Sequence, residues 1–490
     1  MIGLDSNLKT MKYALYLVAS AVSAVAALPT VGPDYTRPAV TAPAAYRDAD
    51  SPNTWKTAEP ADALARGEWW KLFGDSTLNA LESRALAGSQ DLRASAARVE
   101  QARAAAGAVR GAYWPQVAVG GSVTREQTSS TTANVFPAPL TTTYRTPLAA
   151  AWELDLFGRV RRQTESARDD AEASAATFES VRLVLTADVA ANYFTLRALD
   201  REVALLQDTV ALRRHALELV DARVQNGAGA ELDTARAETE VAAAEAEAAA
   251  VANRRATVQD ALAVLVGEPA PSFALAATDG QLAVPPAVPA GLPSDLLERR
   301  PDVAAAEREL AAANARIGVA KAAFFPAISL TGTAGFASGD LDRLTNADSR
   351  IWSIGPSLYL PIFQGGRNRA NLARSRAAYD EAVAAYRQHV LVALREVQDA
   401  LTAGKLLAEQ SAAQDRALAS ARRAAALVQT RYDAGYVAYF EVIDAQRTSL
   451  ATERASVELA ALRLNTDVAL IKALGGGWEN PFRAAAVAQK

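Results

Sequence analysis

A chain of 490 residues with a formal net charge of −4 is long enough for two or three soluble domains or one extended duplicated structure, and it offers no general attraction to nucleic acid. Cysteine is absent, which excludes disulfides, thiolate metal sites, cysteine nucleophiles and any lipid attachment through sulfur. The two histidines, His215 and His389, stand apart from any cluster at metal-ligand spacing and read as solvated or groove-facing side chains.

At the amino terminus Lys9 and Lys12 precede a small apolar stretch, Tyr13 to Leu28, and Ala24-Val25-Ala26 supplies a small-x-small cleavage pattern. About 16 apolar residues fall short of the roughly 20 that span a bilayer, so residues 1–28 read as a signal peptide. Met11-Lys12 makes a more typical start than Met1, which is followed closely by Asp5. Residues 29–74 lead into the first repeat.

From there the chain runs twice through one order of features, about 208 residues apart. ARAAAGAVRGAYWPQVAVGG at Ala102–Gly121 is echoed by AAANARIGVAKAAFFPAISLTG at Ala311–Gly332, LDLFGRVRR around Phe157 by LPIFQGGRNR around Phe363, and the segment around Gly227 by that around Gly435. The first repeat, 75–267, comprises a helix from Asp75 to Ala112, a β-hairpin over 114–157 and a long helical hairpin over 159–267. A Pro-rich bridge, 268–293, precedes the second repeat, 294–474. That repeat has a helix from Ser294 to Ala323, a β-hairpin over 326–363 and a helical hairpin over 366–474, with a tail at 475–490.

Four segments alternate with period two. From Tyr144 to Leu156 the even positions are mostly apolar while the odd ones include Arg145, Glu153 and Asp155; from Trp352 to Ile362 the even positions are again apolar. Val117, Val119 and Val123 alternate after Pro115, as do Ile328, Leu330, Ala334 and Phe336 after Pro326. A half-buried soluble sheet gives the same period in one strand, but four such strands in an exported chain favour a membrane barrel. About eight strands is the usual minimum for closure, so several chains must pool theirs.

The stretch Arg159–Val224 holds neither proline nor glycine, and Leu199, Val203, Leu206, Val210, Leu217, Val220 and Val224 form a heptad-like seam. Asn368 to Tyr432 repeats the element, with Val390, Leu394, Val397 and Leu401 on one stripe. Each ends at a glycine, Gly227 or Gly435, and a returning helix follows.

These residues also carry a resemblance. VGPDY at Val31–Tyr35, Trp69-Trp70 with Phe73, LDLFGR at Leu154–Arg159, GPSLYLPIFQGGR at Gly355–Arg367 and above all LLERRPDVAAAERELAAANARIGVAKAAFFPAISL at Leu296–Leu330 resemble the TolC-like outer-membrane efflux proteins, most closely the OprM or NodT type. The resemblance implies a mixed α and β membrane protein and a homotrimer whose four strands per chain make one 12-stranded outer-membrane barrel, continued by a periplasmic helical barrel. It implies an equatorial collar from the segments around Tyr35 to Lys71, the bridge and the tail. The implied partners are a periplasmic adaptor protein, an inner-membrane RND transporter and outer-membrane lipid, with no cofactor and no enzymatic role. Many relatives of this type carry a lipidated cysteine before a TVGPDY-like sequence; here Pro29 stands near that place.

The resemblance places the functional residues at the hairpin tips. Glu441 and Asp444 fall where such ducts set acidic rings, one helical turn apart; the alternative is two ordinary acids near the positive end of a helix dipole. Tyr432 and Arg431 are candidates to hold the tip closed, against a simple dipole-favoured cation at a helix end. Gln225, Asn226, Asp233 and Arg236 occupy the equivalent places of the first hairpin, and the turns at Gly227 and Gly435 are candidate adaptor contacts. Glu153 and Asp155 either line the barrel lumen or serve as hydrogen-bonding groups at its base. An exit duct for type I secretion and a periplasmic coiled-coil scaffold are the other readings.

Overall fold

A computed structural model describes residues 29–39, 46, 68–129, 140–278 and 299–476. The expected signal peptide lies outside them, as do most of the Pro-rich bridge and nearly all of the tail. The helices are α1 (Ser76–Gly88), α2 (Gln90–Arg110), α3 (Arg159–Gln225), α4 (Glu231–Val266), α5 (Pro301–Ala322), α6 (Arg367–Asp433) and α7 (Tyr439–Ala473). The strands are β1 (Gln116–Val119), β2 (Ser122–Gln127), β3 (Leu140–Leu154), β4 (Ala327–Ser338) and β5 (Arg350–Tyr359). Among the described residues no helix is long and apolar enough to cross a membrane. The chain divides into two compact units, one drawn from Met1–Ala39, Arg98–Ser174 and Ala305–Tyr386, the other from Val40–Ala97, Ala175–Ala304 and Arg387–Lys490.

The first unit is organised by an antiparallel sheet in the order β1-β3-β4-β5, with β2 also on β3. Val119 faces Leu148 and Ser122 faces Arg145, so β1 and β2 keep one register and amount to a single strand interrupted at Gly120-Gly121. The sheet thus has four strand positions, which coincide with the four alternating segments. Register puts Val117, Val119, Leu148, Ala334, Trp352, Ile354 and Leu358 on one face. Six large residues of that face are bare to solvent, from 50% exposure at Leu148 to 79% at Val119 and Trp352, while Trp152 on the same face is buried and donates its indole N–H to the Tyr113 carbonyl. On the other face Glu153, Ser329 and Ser357 line up across β3, β4 and β5.

The VGPDY segment forms a strap over the helices of this unit. The Val31 amide donates to the Phe157 carbonyl at 3.1 Å, Arg162 donates to Asp34 at 2.6 Å, and Asn314 donates to the Pro33 carbonyl at 3.0 Å. Arg37 pairs with Glu307. Gly32 adopts φ +116°, and a Cβ there would sit 2.6 Å from the Gly318 Cα, so backbone meets backbone where only glycine fits. The segment 29–74, expected as one equatorial piece, therefore divides: these contacts fix its first part to the sheet unit, whereas Trp69–Phe73 belongs to the second.

In that second unit Trp69, Trp70 and Phe73 are buried with Leu78, Leu81, Phe194, Leu262, Leu401, Leu464 and Ile471. The Trp69 indole donates to Thr186 at 3.2 Å, which satisfies its one polar group. The single helix expected from Asp75 to Ala112 is two helices broken at Ser89. That residue is extended (φ −57°, ψ 124°), and its hydroxyl accepts from the Leu92 amide at 3.4 Å, restarting the helix as an N-cap. Of the expected seams, Leu199, Leu206 and Val220 are buried on α3 and Val390, Val397 and Leu401 on α6, while Val203, Val210, Leu217, Val224 and Leu394 are half-buried.

Candidate functional site

The two helical hairpins turn in the same way. Gly227 (φ +69°) donates to the Val224 carbonyl while Ala228 reaches back to Arg223; Gly435 (φ +79°) donates to Tyr432 while Tyr436 reaches back to Arg431. Only glycine takes this left-handed conformation without strain, which is why both turns carry one.

Between the tips, Arg223 of α3 donates to the Tyr432 hydroxyl at 2.6 Å. The Tyr432 ring also stands 5.6 Å from that of Tyr439. Arg431, expected with Tyr432 as a candidate to hold the tip closed, has an exposed side chain that makes no hydrogen bond or ion pair among the described residues. Glu441 and Asp444 are both exposed in the first turns of α7, flanking the buried Val442 and Ile443. In the first hairpin Asp233 and Arg236 pair loosely at 3.8 Å, Arg236 lies over the Phe440 ring, and Asn226 donates to the Ala222 carbonyl. Gln225 is exposed.

Further from the turns, two buried acids clasp the hairpins to each other. Glu240 of α4, its side chain 5% exposed, pairs with Arg213 of α3 at 2.6 Å and with Arg447 of α7. Glu202 of α3, 4% exposed, pairs with Arg254 at 3.2 Å and with Arg454 of α7 at 2.6 Å; Arg454 also meets Glu247. Sequence reasoning missed these clasps, although the seven-residue spacing of Glu240 and Glu247 on α4, matched by Arg447 and Arg454 on α7, was readable. It also missed a second apolar stripe on α3. Leu205, Leu212 and Leu219 recur every seven residues, and with Tyr432, Tyr439 and Val442 they line a cavity of about 560 Å³.

At the base of the sheet Asp155 is buried and accepts from the backbone amides of Val160 (3.0 Å) and Arg161 (2.8 Å), which caps α3. Glu153 pairs with Arg159 at 2.5 Å. Both acids are thus engaged in hydrogen bonds at the start of α3. Among the described residues no group of His, Asp and Glu is arranged to hold a metal ion.

The family model described as outer membrane efflux protein matches residues 81–268 and 292–476, one match for each repeat. The chain belongs to the outer membrane efflux protein family. It is 34% identical over 453 residues to the toluene efflux pump outer membrane protein TtgF of Pseudomonas putida, covering 91% of this chain and 94% of that one. It is also 34% identical over 453 residues to the cation efflux system protein CusC of Escherichia coli, covering 92% and 96%. The solved outer-membrane channel OprN superposes with a TM-score of 0.84 at 34% identity, over 92% of this chain and all of that one. As a member of this family the protein is an outer-membrane channel of an efflux pump, and the secretion-duct and soluble-scaffold readings fall away.

Proposed function

We propose that three copies of this chain pool their strands into one closed 12-stranded barrel and act as a passive exit duct. In this reading the duct receives drugs or other small toxic solutes from an inner-membrane RND transporter through a periplasmic adaptor. The reading rests chiefly on the sheet, which exposes an apolar face and, among the described residues, leaves β1–β2 and β5 as unpaired edges. Unpaired backbone groups in hydrocarbon cost several kcal/mol each, so such a sheet is stable in a membrane only when closed. Four strand positions are about half of the smallest closed barrel, and neighbouring copies supply the rest.

The tips are the proposed periplasmic gate. On a three-fold axis Glu441 and Asp444 stack into two rings of carboxylates, which attract cations and repel anions. Arg223 and Tyr432 hold the hairpins together at rest, and the groove along Leu205, Leu212 and Leu219 receives an apolar helix face of the adaptor. The names of the relatives include both toluene and cations, so a duct of this kind reads size and charge rather than one ligand.

The test is single-channel conductance in a planar bilayer, comparing the parent with the Glu441→Gln, Asp444→Asn double variant. Small cation-selective currents that grow in the variant, with loss of divalent block, support the gate. Equal currents and equal selectivity in the two proteins remove the two acids from it.

A further inference from the structure

The second repeat keeps the arginines of the first at its strand-to-helix junction but loses their acids. In the first repeat Glu153, Asp155 and Asp34 neutralise Arg159, Arg161 and Arg162 at the start of α3. Aligning LDLFGR on LPIFQGGR puts Tyr359 and Pro361 where Glu153 and Asp155 stand. Helix α6 nevertheless opens with Arg367 and Arg369, followed by Arg374 and Arg376, and has no acid in its first turn. All four side chains are exposed and make no ion pair among the described residues. Cations in the first turn of a helix oppose its dipole, which bears on Arg367 and Arg369, whereas Arg374 and Arg376 lie beyond that turn.

The arginines occupy two sides of α6. Arg367 lines a cavity of about 230 Å³ together with Glu153 and Tyr359, residues of the polar face of the sheet. Arg374 lines another of about 570 Å³ with Arg159, Arg316 and Asp170. Arg369 and Arg376 line neither and lie about half a helical turn away from that pair. Between the exposed apolar residues of β5 and the start of α6 the chain carries two more, Ile362 (93% exposed) and Phe363 (89%). Among the described residues the free edges of the sheet are β1–β2 and β5, so a neighbouring copy would bring its β1 and the helix before it; between Glu100 and Glu126 that stretch has no carboxylate. Asp380, one turn beyond Arg376, makes no ion pair with it.

We infer that Arg369 and Arg376 bind the phosphate of anionic phospholipids at the periplasmic rim of the barrel. Two arginines seven residues apart share one side of the helix, about 10 Å apart along it, and their long side chains reach toward one phosphate layer. The occupant follows from charge and from continuity with the apolar belt: phosphate lies immediately beyond hydrocarbon on the membrane's periplasmic side. The inference rests on the barrel reading for its membrane side, but its readout is separate from conduction.

The test uses the full-length protein purified in mild detergent, incubated with phosphatidylglycerol or phosphatidylcholine and examined by native mass spectrometry. The parent is expected to retain phosphatidylglycerol at least fivefold over phosphatidylcholine. Arg369→Ala, Arg376→Ala should abolish that preference, while Arg369→Lys, Arg376→Lys should keep most of it. Channel conductance, measured in parallel, should be unchanged in both variants, which separates this result from failure of the duct reading. Equal lipid retention in the parent and the alanine variant overturns the inference. So does a parent without preference, or an alanine variant whose oligomer dissociates with its lipid retention intact, which makes the arginines contacts between copies.

Discussion

The Tyr432 hydroxyl accepts a hydrogen bond of 2.6 Å from the Arg223 guanidinium, whose central carbon lies 4.8 Å from the centre of the same ring. The pair joins the end of α6 to the end of α3, two helices that belong to different hairpins. Both groups are solvent-accessible, so the contact contributes no more than about 1 kcal/mol, too little to hold the fold and enough to bias the position of the tips. Tyr432→Phe and Arg223→Ala should each raise single-channel conductance severalfold with melting behaviour unchanged. Parental conductance in both variants would show that the pair does not restrain the tips.

The clasp at Glu240 is of another kind. Arg213 is 10% exposed and Glu240 5%, whereas Arg447 is 57% exposed. Removing the acid strands a buried guanidinium, which costs about 3 kcal/mol; removing the exposed partner costs about 1 kcal/mol or less. Glu240→Gln should therefore melt markedly lower than the parent and expose the hairpins to protease, while Arg447→Ala should do neither. Thermal melts and limited proteolysis of the two variants decide this, and the reverse order of stability would contradict it.

Glu82 on α1 is fully buried, and among the described residues neither carboxylate oxygen has a hydrogen-bond partner. Burial alone pushes its pKa up to about 9, from an ordinary 4.5. The folded state therefore binds a proton that the unfolded chain gives up. The stability associated with this group is complete below pH about 4.5 and is lost, at about 1.4 kcal/mol per unit, as pH rises towards 9. Glu82→Gln is neutral at every pH and should gain on the parent between pH 5 and pH 8. A difference in melting temperature that stays constant over that range would sink the argument.

Gly318 carries the strap. A Cβ there would lie 2.8 Å from the Arg162 side chain and 2.9 Å from the Val31 carbonyl. Gly318→Val should displace the segment Val31–Tyr35 and cost about 1–3 kcal/mol, whereas Gly107→Ala, on α2 with open space around it, should be neutral or mildly stabilising. The two variants can be compared by hydrogen exchange across Val31–Arg37, where faster exchange is expected only in Gly318→Val.

The repeats, the strands and the long hairpins were legible because each rests on a period. Two-residue alternation marked β1 to β5, and the heptad of Leu199, Leu206 and Val220 marked the inward side of α3. The break at Ser89 was not legible, since serine is ordinary within a helix and becomes a cap only when its backbone is extended. At the tips the turn glycines and Tyr432 could be picked from the second hairpin alone. Arg223 could not, because its role depends on how two segments some 200 residues apart in sequence come together. Asp155 alternates with the apolar residues of β3 as a lumen-facing acid would, yet the chain turns just after it and spends its carboxylate on the amides of α3.

The matched spacing of the clasps has a mechanical consequence. Arg447 and Arg454 on α7 meet Glu240 and Glu247 on α4 at equal intervals of two helical turns. A lengthwise slip of less than about 10 Å leaves both arginines facing the wrong rungs, and a slip of a full interval still strands one arginine and one glutamate. Moving the hairpins apart sideways breaks the contacts nearest the turns first and leaves the deeper ones engaged. The spacing thus favours swinging like a hinge over sliding like a piston.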